Sequence, residues 1–331
     1  MASAIYQTQI FGFAGPWHGF SNRSALIDYH GKQCAGVARD GAPDGTVATA
    51  LAGGPLRYRD AEVQIAIAGA PYFDGDLQST GAPDIAAKLA IEYKRGGADS
   101  IARLRGGFAA AIVDAKRNAT LLAVDRMGIE RLAYAVASDS IVFGSRVDAV
   151  ARFPARTASI RPQALFDFLL MHMIPSPDTV YDGVMKLRPG TTVTFHAGRL
   201  DVRAHWTPVF FERGRADMPA LATELREKLR GAVTACRPEA ASGSFLSGGL
   251  DSSTVTGVLA EVAGRGRPSF SIGFGVEGYD ELSYARTASG HFGSQAHEYV
   301  VTPADIVAVL PRIAAAYDEP FGNSSAVPTY F

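Results

Sequence analysis

Short apolar runs, several of them alternating with polar residues, fill the first two thirds of the chain. IYQTQIFGFAG, VQIAIAG, FAAAIVDA, ATLLAVD, SIVFGS, TTVTFHAG and LDVRAHW carry β-branched and aromatic residues between turn signals, which predicts strands. Two helical patterns interrupt them: IAAKLAIEYKRGG, which ends on glycine, and the segment around ALFDFLLMHM. Strand runs with a few helices predict an α+β domain of stacked layers over residues 1–207.

After about Pro208 the pattern changes. MPALATELREKLRGAVTAC sets Leu221, Leu225, Leu229 and Val233 on one helical face. A strand SFL, a loop SGGLDSS and a helix STVTGVLAEVAG follow. Then come a strand PSFSIGF, a helix from about Asp280 to His291, a strand HEYVVT and a helix DIVAVLPRIAAAY. Strand alternating with helix predicts an α/β domain over residues 208–331, with a parallel sheet and helices on its faces. The boundary is expected in TPVFFERGRADMP, and Trp206 is expected to pack there as an anchor.

Composition narrows the function classes. A length of 331 residues fits two domains. The formal charge of -1, from 32 basic and 33 acidic residues without a like-charge block, argues against nucleic acid and anionic membrane as partners. No apolar stretch is long enough to span a bilayer, and the N-terminus lacks a signal-peptide pattern. Two cysteines, Cys34 and Cys236, form neither a disulfide framework nor a zinc pattern, which fits a reducing cytoplasm. The seven histidines show no close-spaced ligand motif.

The candidate chemistry sits in SFLSGGLDSSTV, residues 244–255. This loop joins a strand end to a helix start, where doubly wound sheets bind ligands and free N–H groups favour anions. Gly248 and Gly249 let the backbone approach a phosphate. Ser247, Ser252 and Ser253 supply hydroxyl donors. The P-loop lysine is missing. Asp251 repels a bare phosphate but can hold a magnesium ion that also binds phosphate oxygens. Donors plus one metal ligand suit pyrophosphate held as a leaving group.

SGGLDSS resembles the pyrophosphate loop (PP-loop) of the N-type ATP pyrophosphatases, and the surrounding residues resemble the asparagine synthetase group within it. RLRGGFAAAIVD, VDRMGIERLAY, FGSRVDAV and KLRPGTTV look like that group's amidotransferase half, and SFSIGFGVEGYDELSYAR like its synthetase half. The resemblance implies an Ntn-hydrolase-like sandwich followed by an adenine-nucleotide-hydrolase-like domain. It implies ATP and Mg2+, a carboxylate activated as an acyl-adenylate with release of pyrophosphate, and attack by an amine. By position, Ser247, Gly248, Gly249, Asp251, Ser252 and Ser253 are implied to bind pyrophosphate, with Asp251 helping to hold magnesium. Leu246 and Ile272 are implied to contact the nucleoside through backbone groups, although an isoleucine in a buried strand also has a plain packing role. Asp280 and Glu281 open a helix and complement its dipole or serve the site. The resemblance sets Asp318 and Glu319 near the acyl acceptor, whereas loop solvation is expected of each carboxylate taken singly.

Two departures from the family pattern carry expectations. Glutamine-using members have a cysteine after the initiator methionine, whose thiolate attacks the amide and whose α-amino group can act as base. Here Ala2 stands second, and the strand pattern sets Phe11 at the cysteine position. The family's Asn-Gly-Glu segment aligns with Ala68, Gly69 and Ala70, whose side chains cannot support an oxyanion. Asp84 remains as a remnant of the glutamine pocket, and Cys34 is expected to be an inert buried thiol. Glutamine hydrolysis is therefore expected to be absent, as in the similar N-terminal domains of β-lactam synthetases and lasso-peptide cyclases. Secondly, the family's second acidic glycine-rich motif, which supplies another magnesium carboxylate, does not occur in these 331 residues. The parallel-sheet domain is expected to be incomplete and to leave apolar surface open, with a separate C-terminal half or a homo-oligomer as partner.

The leading expectation is an ATP-dependent amide ligase of the asparagine synthase type. The alternatives are an intramolecular amide ligase of another carboxylate and a non-catalytic nucleotide-binding protein.

Overall fold

The structure is a computed structural model that describes residues 10–15, 40–41, 48–49, 56–74, 84–137, 139–153, 157–212, 214, 217–236, 238–239, 241–276, 278 and 280–331. Ala2, Cys34 and the first half of IYQTQIFGFAG lie outside the described residues. The chain divides into two compact units, Met1–Val209 with Ala315–Gly322, and Phe210–Ala314 with Asn323–Phe331. The return of residues 315–322 to the first unit has no counterpart in a boundary drawn near 207/208.

The first unit contains β1 (Phe11–Ala14), β2 (Asp40–Gly41), β3 (Ala48–Thr49), β4 (Leu56–Arg59), β5 (Val63–Gly69), β6 (Tyr72–Phe73), α1 (Ile85–Gly96), β7 (Leu104–Arg105), β8 (Phe108–Asp114), β9 (Ala119–Val124), β10 (Ala133–Ala137), β11 (Ser140–Gly144), α2 (Val147–Ala151), α3 (Pro162–Met171), β12 (Met185–Lys186), β13 (Thr191–His196) and β14 (Arg199–Ala204). Its two main sheets are antiparallel, ordered β1-β11-β10-β12 and β14-β13-β9-β8-β5-β4.

Strand β8 shows why these sheets stack. Ala109, Ala111 and Val113 face a core shared with Ile141 and Phe143 of the four-stranded sheet. Phe108, Ala110 and Ile112 face the opposite side, where they pack with Leu89 and Ala90 of α1. A strand covered on both faces reads as a continuous apolar run, which is what FAAAIVD is. Helix α1 buries Ile85, Ala86, Leu89, Ala90 and Tyr93, a stripe at helical spacing, and carries Lys94 and Arg95 in its last turn. The outer face of the four-stranded sheet is closed by α2 and Phe153. The result is a helix–sheet–sheet–helix sandwich. Helix α3 buries only Ala164 and leaves Phe166, Leu169 and Leu170 exposed.

The second unit contains α4 (Met218–Ala235), β15 (Ser244–Phe245), α5 (Leu250–Ala263), β16 (Pro268–Gly273), α6 (Leu282–Phe292), β17 (Gln295–Val300), α7 (Pro303–Ala316) and α8 (Ala326–Tyr330), α7 running on into residues of the first unit. Its three strands are parallel in the order β15-β16-β17. On one face Ser244, Leu246, Ser269 and Ser271 are buried, whereas Phe245 and Phe270 on the other are exposed. A hydrogen bond of 2.9 Å between the buried Ser244 and Thr256 hydroxyls ties β15 to α5. In α4, Leu221, Leu229 and Val233 are half-buried and Leu225 is exposed. The helix packs chiefly on α5.

Candidate functional site

The glycine loop starts where β15 ends. The Leu246 N–H donates to the Phe270 carbonyl at 2.8 Å, and the Leu246 carbonyl accepts from the Ser271 hydroxyl at 2.6 Å. Leu246 is thereby fixed beside β16 and fully buried, and the chain emerges at Ser247. Gly248 turns it with φ +85°, in contact with the first turn of α6. Gly249 is the N-cap of α5, and helical bonding begins with the Ser253 N–H donating to the Gly249 carbonyl at 3.0 Å. No side chain caps α5, so the N–H groups of its first turn, which includes Asp251 and Ser252, keep their donors available.

The serines converge on the same point. The Ser247 and Ser252 hydroxyls are 2.9 Å apart. The backbone N–H groups of Ser247 and Gly249 donate to Ser252 Oγ and Ser247 Oγ at 3.2 and 3.3 Å. Asp251 is exposed in the first helical turn and makes no ion pair or side-chain hydrogen bond with any described residue. Ile272, near the end of the adjoining strand β16, is half-buried and points to the face opposite Leu246. The structure thus brings residues 246–253 together at the carboxyl end of the sheet with Ile272 beside them. The arrangement offers free donors, two hydroxyls and a hard carboxylate ligand to one bound group.

The remaining second-unit carboxylates have local work. Asp280 accepts from the Leu282 N–H at 3.0 Å and from the Gly275 N–H at 3.3 Å, so both its oxygens hold the entry to α6. Glu281 is the N-cap of that helix. Asp318 and Glu319 overturn the solvated-loop expectation. The side chains of both are buried in the first unit, where the Val147 N–H donates to Asp318 Oδ2 and Arg131 lies 3.6 Å from Oδ1. Glu319 accepts from the Val180 N–H at 2.9 Å and pairs with Lys186 at 2.6 Å. Sequence reasoning missed these contacts because the partners lie more than 130 positions apart.

In the first unit, Phe11 is fully buried on the outer side of its sheet, with its ring 6.4 Å from that of Phe153. Ala68 is buried, and the Ala70 N–H is used by the Gly107 carbonyl at 2.9 Å. Asp84 caps α1, its Oδ1 accepting from the Ala87 N–H at 3.0 Å. The same end of the sandwich is organised by Asp125, a buried carboxylate that accepts from the N–H groups of Phe108, Met127, Ile129 and Glu130 at 2.9–3.2 Å. A cavity of about 400 Å³ bordered by Ala14, Val113, Thr120 and Phe195 contains none of the predicted site residues. Among the described residues no cluster of potential metal ligands occurs, and no helix is long and apolar enough to cross a membrane.

Glu130 beside Asp125 gives a pH prediction. Burial, and then the Asp125 charge, push its carboxyl above the ordinary glutamate range. The folded state therefore holds this proton more tightly than the unfolded chain does, and stability falls as pH rises from the unfolded glutamate pKa through the raised value. Glu130→Gln is expected to raise the melting temperature at pH 7 and to flatten that part of the stability profile. Thermal melts of both proteins from pH 4 to 8 check this, and a variant that melts lower than wild type at pH 7 contradicts it.

Comparison with known proteins divides the chain along similar lines. The glutamine amidotransferase domain family matches residues 78–206, and the asparagine synthase family matches residues 224–331. The chain is 30% identical over 250 residues to a putative glutamine-hydrolysing asparagine synthetase 2 of Methanocaldococcus jannaschii, covering 72% of this chain and 47% of that one. It is 28% identical over 252 residues to glutamine-hydrolysing asparagine synthetase 1 of Bacillus subtilis, covering 73% and 38%. The chain belongs to the asparagine synthetase family. It spans about half or less of the length of these family members. Its fold is that expected of the asparagine synthetase family, an Ntn-hydrolase-like sandwich followed by a nucleotide-binding-type α/β unit. A solved glutamine phosphoribosylpyrophosphate amidotransferase from B. subtilis is similar at 14% identity over 88% of this chain and 81% of that one, with a TM-score of 0.36.

Proposed function

We propose that the chain is an ATP-dependent amide-forming ligase of the asparagine synthetase type and that the loop 246–253 grips the pyrophosphate of bound ATP. The observation that carries this reading is the uncapped start of α5 beside the Ser247–Ser252 pair and Asp251, which pairs with no described residue. First-turn N–H groups favour phosphate oxygens, and the serine hydroxyls add donors at the same point. Leu246 and Ile272, at neighbouring strand ends, are in position to meet the nucleoside through backbone groups. A carboxylate oxygen of the substrate attacks the α-phosphorus, expelling pyrophosphate and forming an acyl-adenylate. An amine then attacks the acyl carbon, giving the amide and AMP. The loop's part is to orient the departing diphosphate and stabilise its charge. Magnesium fits the site because Asp251 supplies a hard oxygen ligand; when bound, the ion neutralises phosphate charge.

Glutamine hydrolysis is not part of the proposal. Phe11 has no nucleophile, and the Ala70 N–H is already taken. The same observation favours a second reading, an intramolecular ligase like the β-lactam synthetases, over synthesis of asparagine from glutamine. The two cysteines fit action in a reducing cytoplasm.

Calorimetry with ATP and magnesium tests the site. Asp251→Ala is expected to weaken Mg·ATP binding about tenfold, roughly 1.4 kcal/mol, and to remove most of the magnesium dependence. Equal affinity in wild type and variant, or no binding by wild type, sinks the assignment. Pyrophosphate release with aspartate plus ammonium chloride separates asparagine synthesis from the intramolecular reading.

A further inference from the structure

Arg126, directly after the Asp125 hub of the first unit, makes no ion pair with any described residue. Its guanidinium carbon lies 5.7 Å from the centre of the Trp206 ring. Among the described residues its Nε is buried without a hydrogen-bond partner, and no ion pair or hydrogen bond engages its Nη atoms. Arg105 is the neighbouring guanidinium, and it is occupied: it pairs with Asp74 at 2.5 Å and donates to the Ala102 and Leu104 carbonyls at 2.7 and 3.0 Å. Partial burial, and then the Arg105 charge, push the Arg126 guanidinium below its ordinary pKa, although an arginine stays protonated at neutral pH. Asp74 is the carboxylate that acts on Arg126, and it is already paired with Arg105.

The geometry is that of a prepared receptor. The four N–H groups held by Asp125 fix the backbone on which Arg126 sits. The indole lies within cation–π range of the guanidinium. A half-buried cation next to a like charge, with a buried donor unused, gains from an arriving anion. The planar edge formed by the two Nη atoms matches two coplanar oxygens, the fork geometry that arginine offers and lysine does not.

We propose that Arg126, seated on Trp206 beside Arg105, is a binding site for a small carboxylate, separate from the glycine loop. None of the residues involved belongs to the nucleotide site.

Trp206 is the natural reporter. The only other tryptophan is Trp17, and Trp17→Phe leaves Trp206 as the sole indole. In that background, sodium acetate at constant ionic strength is expected to change the fluorescence saturably beyond the response to sodium chloride. Arg126→Gln is expected to lose the saturable change, and Arg126→Lys to weaken it several-fold while keeping the far-ultraviolet circular dichroism of the parent. Asp74→Asn, which removes the competing carboxylate, is expected to tighten acetate binding two- to threefold, a shift that a purely structural Arg126 does not produce. Calorimetry of the otherwise unaltered chain with acetate serves as a second readout should Trp17→Phe disturb folding. A response equal to that of chloride, or one retained in Arg126→Gln, overturns the site. Inorganic phosphate binding as tightly as acetate overturns the assignment to carboxylates.

Discussion

Gly248→Ala is expected to destabilise the second unit by about 2–5 kcal/mol and to abolish the proposed binding of Mg·ATP. Two causes add. At φ +85° an L side chain costs about 1–2 kcal/mol. A Cβ at this position also falls 2.5 Å from Tyr284 Cβ and from the Ala285 nitrogen, and neither is the end of a flexible side chain. Relieving such overpacking costs a further 1–3 kcal/mol or so. The shift must displace either the loop or the first turn of α6, and both bound the proposed pyrophosphate site. Gly249→Ala is the control. Its backbone lies at φ -71°, and an added Cβ meets only Ser247 Oγ, at 3.4 Å. The cost there is expected to stay below about 1 kcal/mol, the ordinary range for an N-cap exchange. Urea titrations of the three proteins give the comparison; if Gly248→Ala unfolds no earlier than Gly249→Ala, the close-approach account is wrong.

The second large effect concerns the first unit. Lys186→Met is expected to cost about 3–5 kcal/mol, because it strands Glu319 as an uncompensated buried carboxylate. The side chains of Lys186 and Glu319 are only 12% and 6% exposed, so water cannot replace the lost partner. The lysine also donates to the Ile174 carbonyl at 2.9 Å, which the variant leaves unmet. Adding Glu319→Gln should recover most of the loss, since a neutral amide still accepts from the Val180 N–H. Thermal melts of the single and double variants test this. A single variant within about 1 kcal/mol of wild type, or a double variant no better than the single, would falsify it.

What the sequence made legible is what local physics decides. FAAAIVD announced a strand covered on both faces, and IAAKLAIEYKRG a helix with one apolar stripe. SGGLDSS could be read as a strand-to-helix turn because glycine, hydroxyl and carboxylate positions follow one another within a few residues. The strands Leu56–Arg59 and Ala133–Ala137 escaped notice. LRYR is a half-exposed edge strand whose charged positions mask its alternation. AYAVA is rich in alanine, which has no strong strand preference, and packing between β11 and β12 decides its form. Asp318 and Glu319 looked like loop residues because their partners, Val147, Val180 and Lys186, come from elsewhere in the chain. Arg126 drew no attention for the same reason. Its neighbours Trp206 and Arg105 become neighbours only once the sandwich has closed.

The short segment Ala315–Gly322 limits how this protein can be taken apart. A gene fragment ending at Val209 would encode every strand of the sandwich yet omit the acceptors for Val147, Val180 and Lys186. The first unit is therefore contiguous in space but not along the chain. Dissection by simple truncation removes a structural part of the half it is meant to preserve, and an independent version needs that peptide restored.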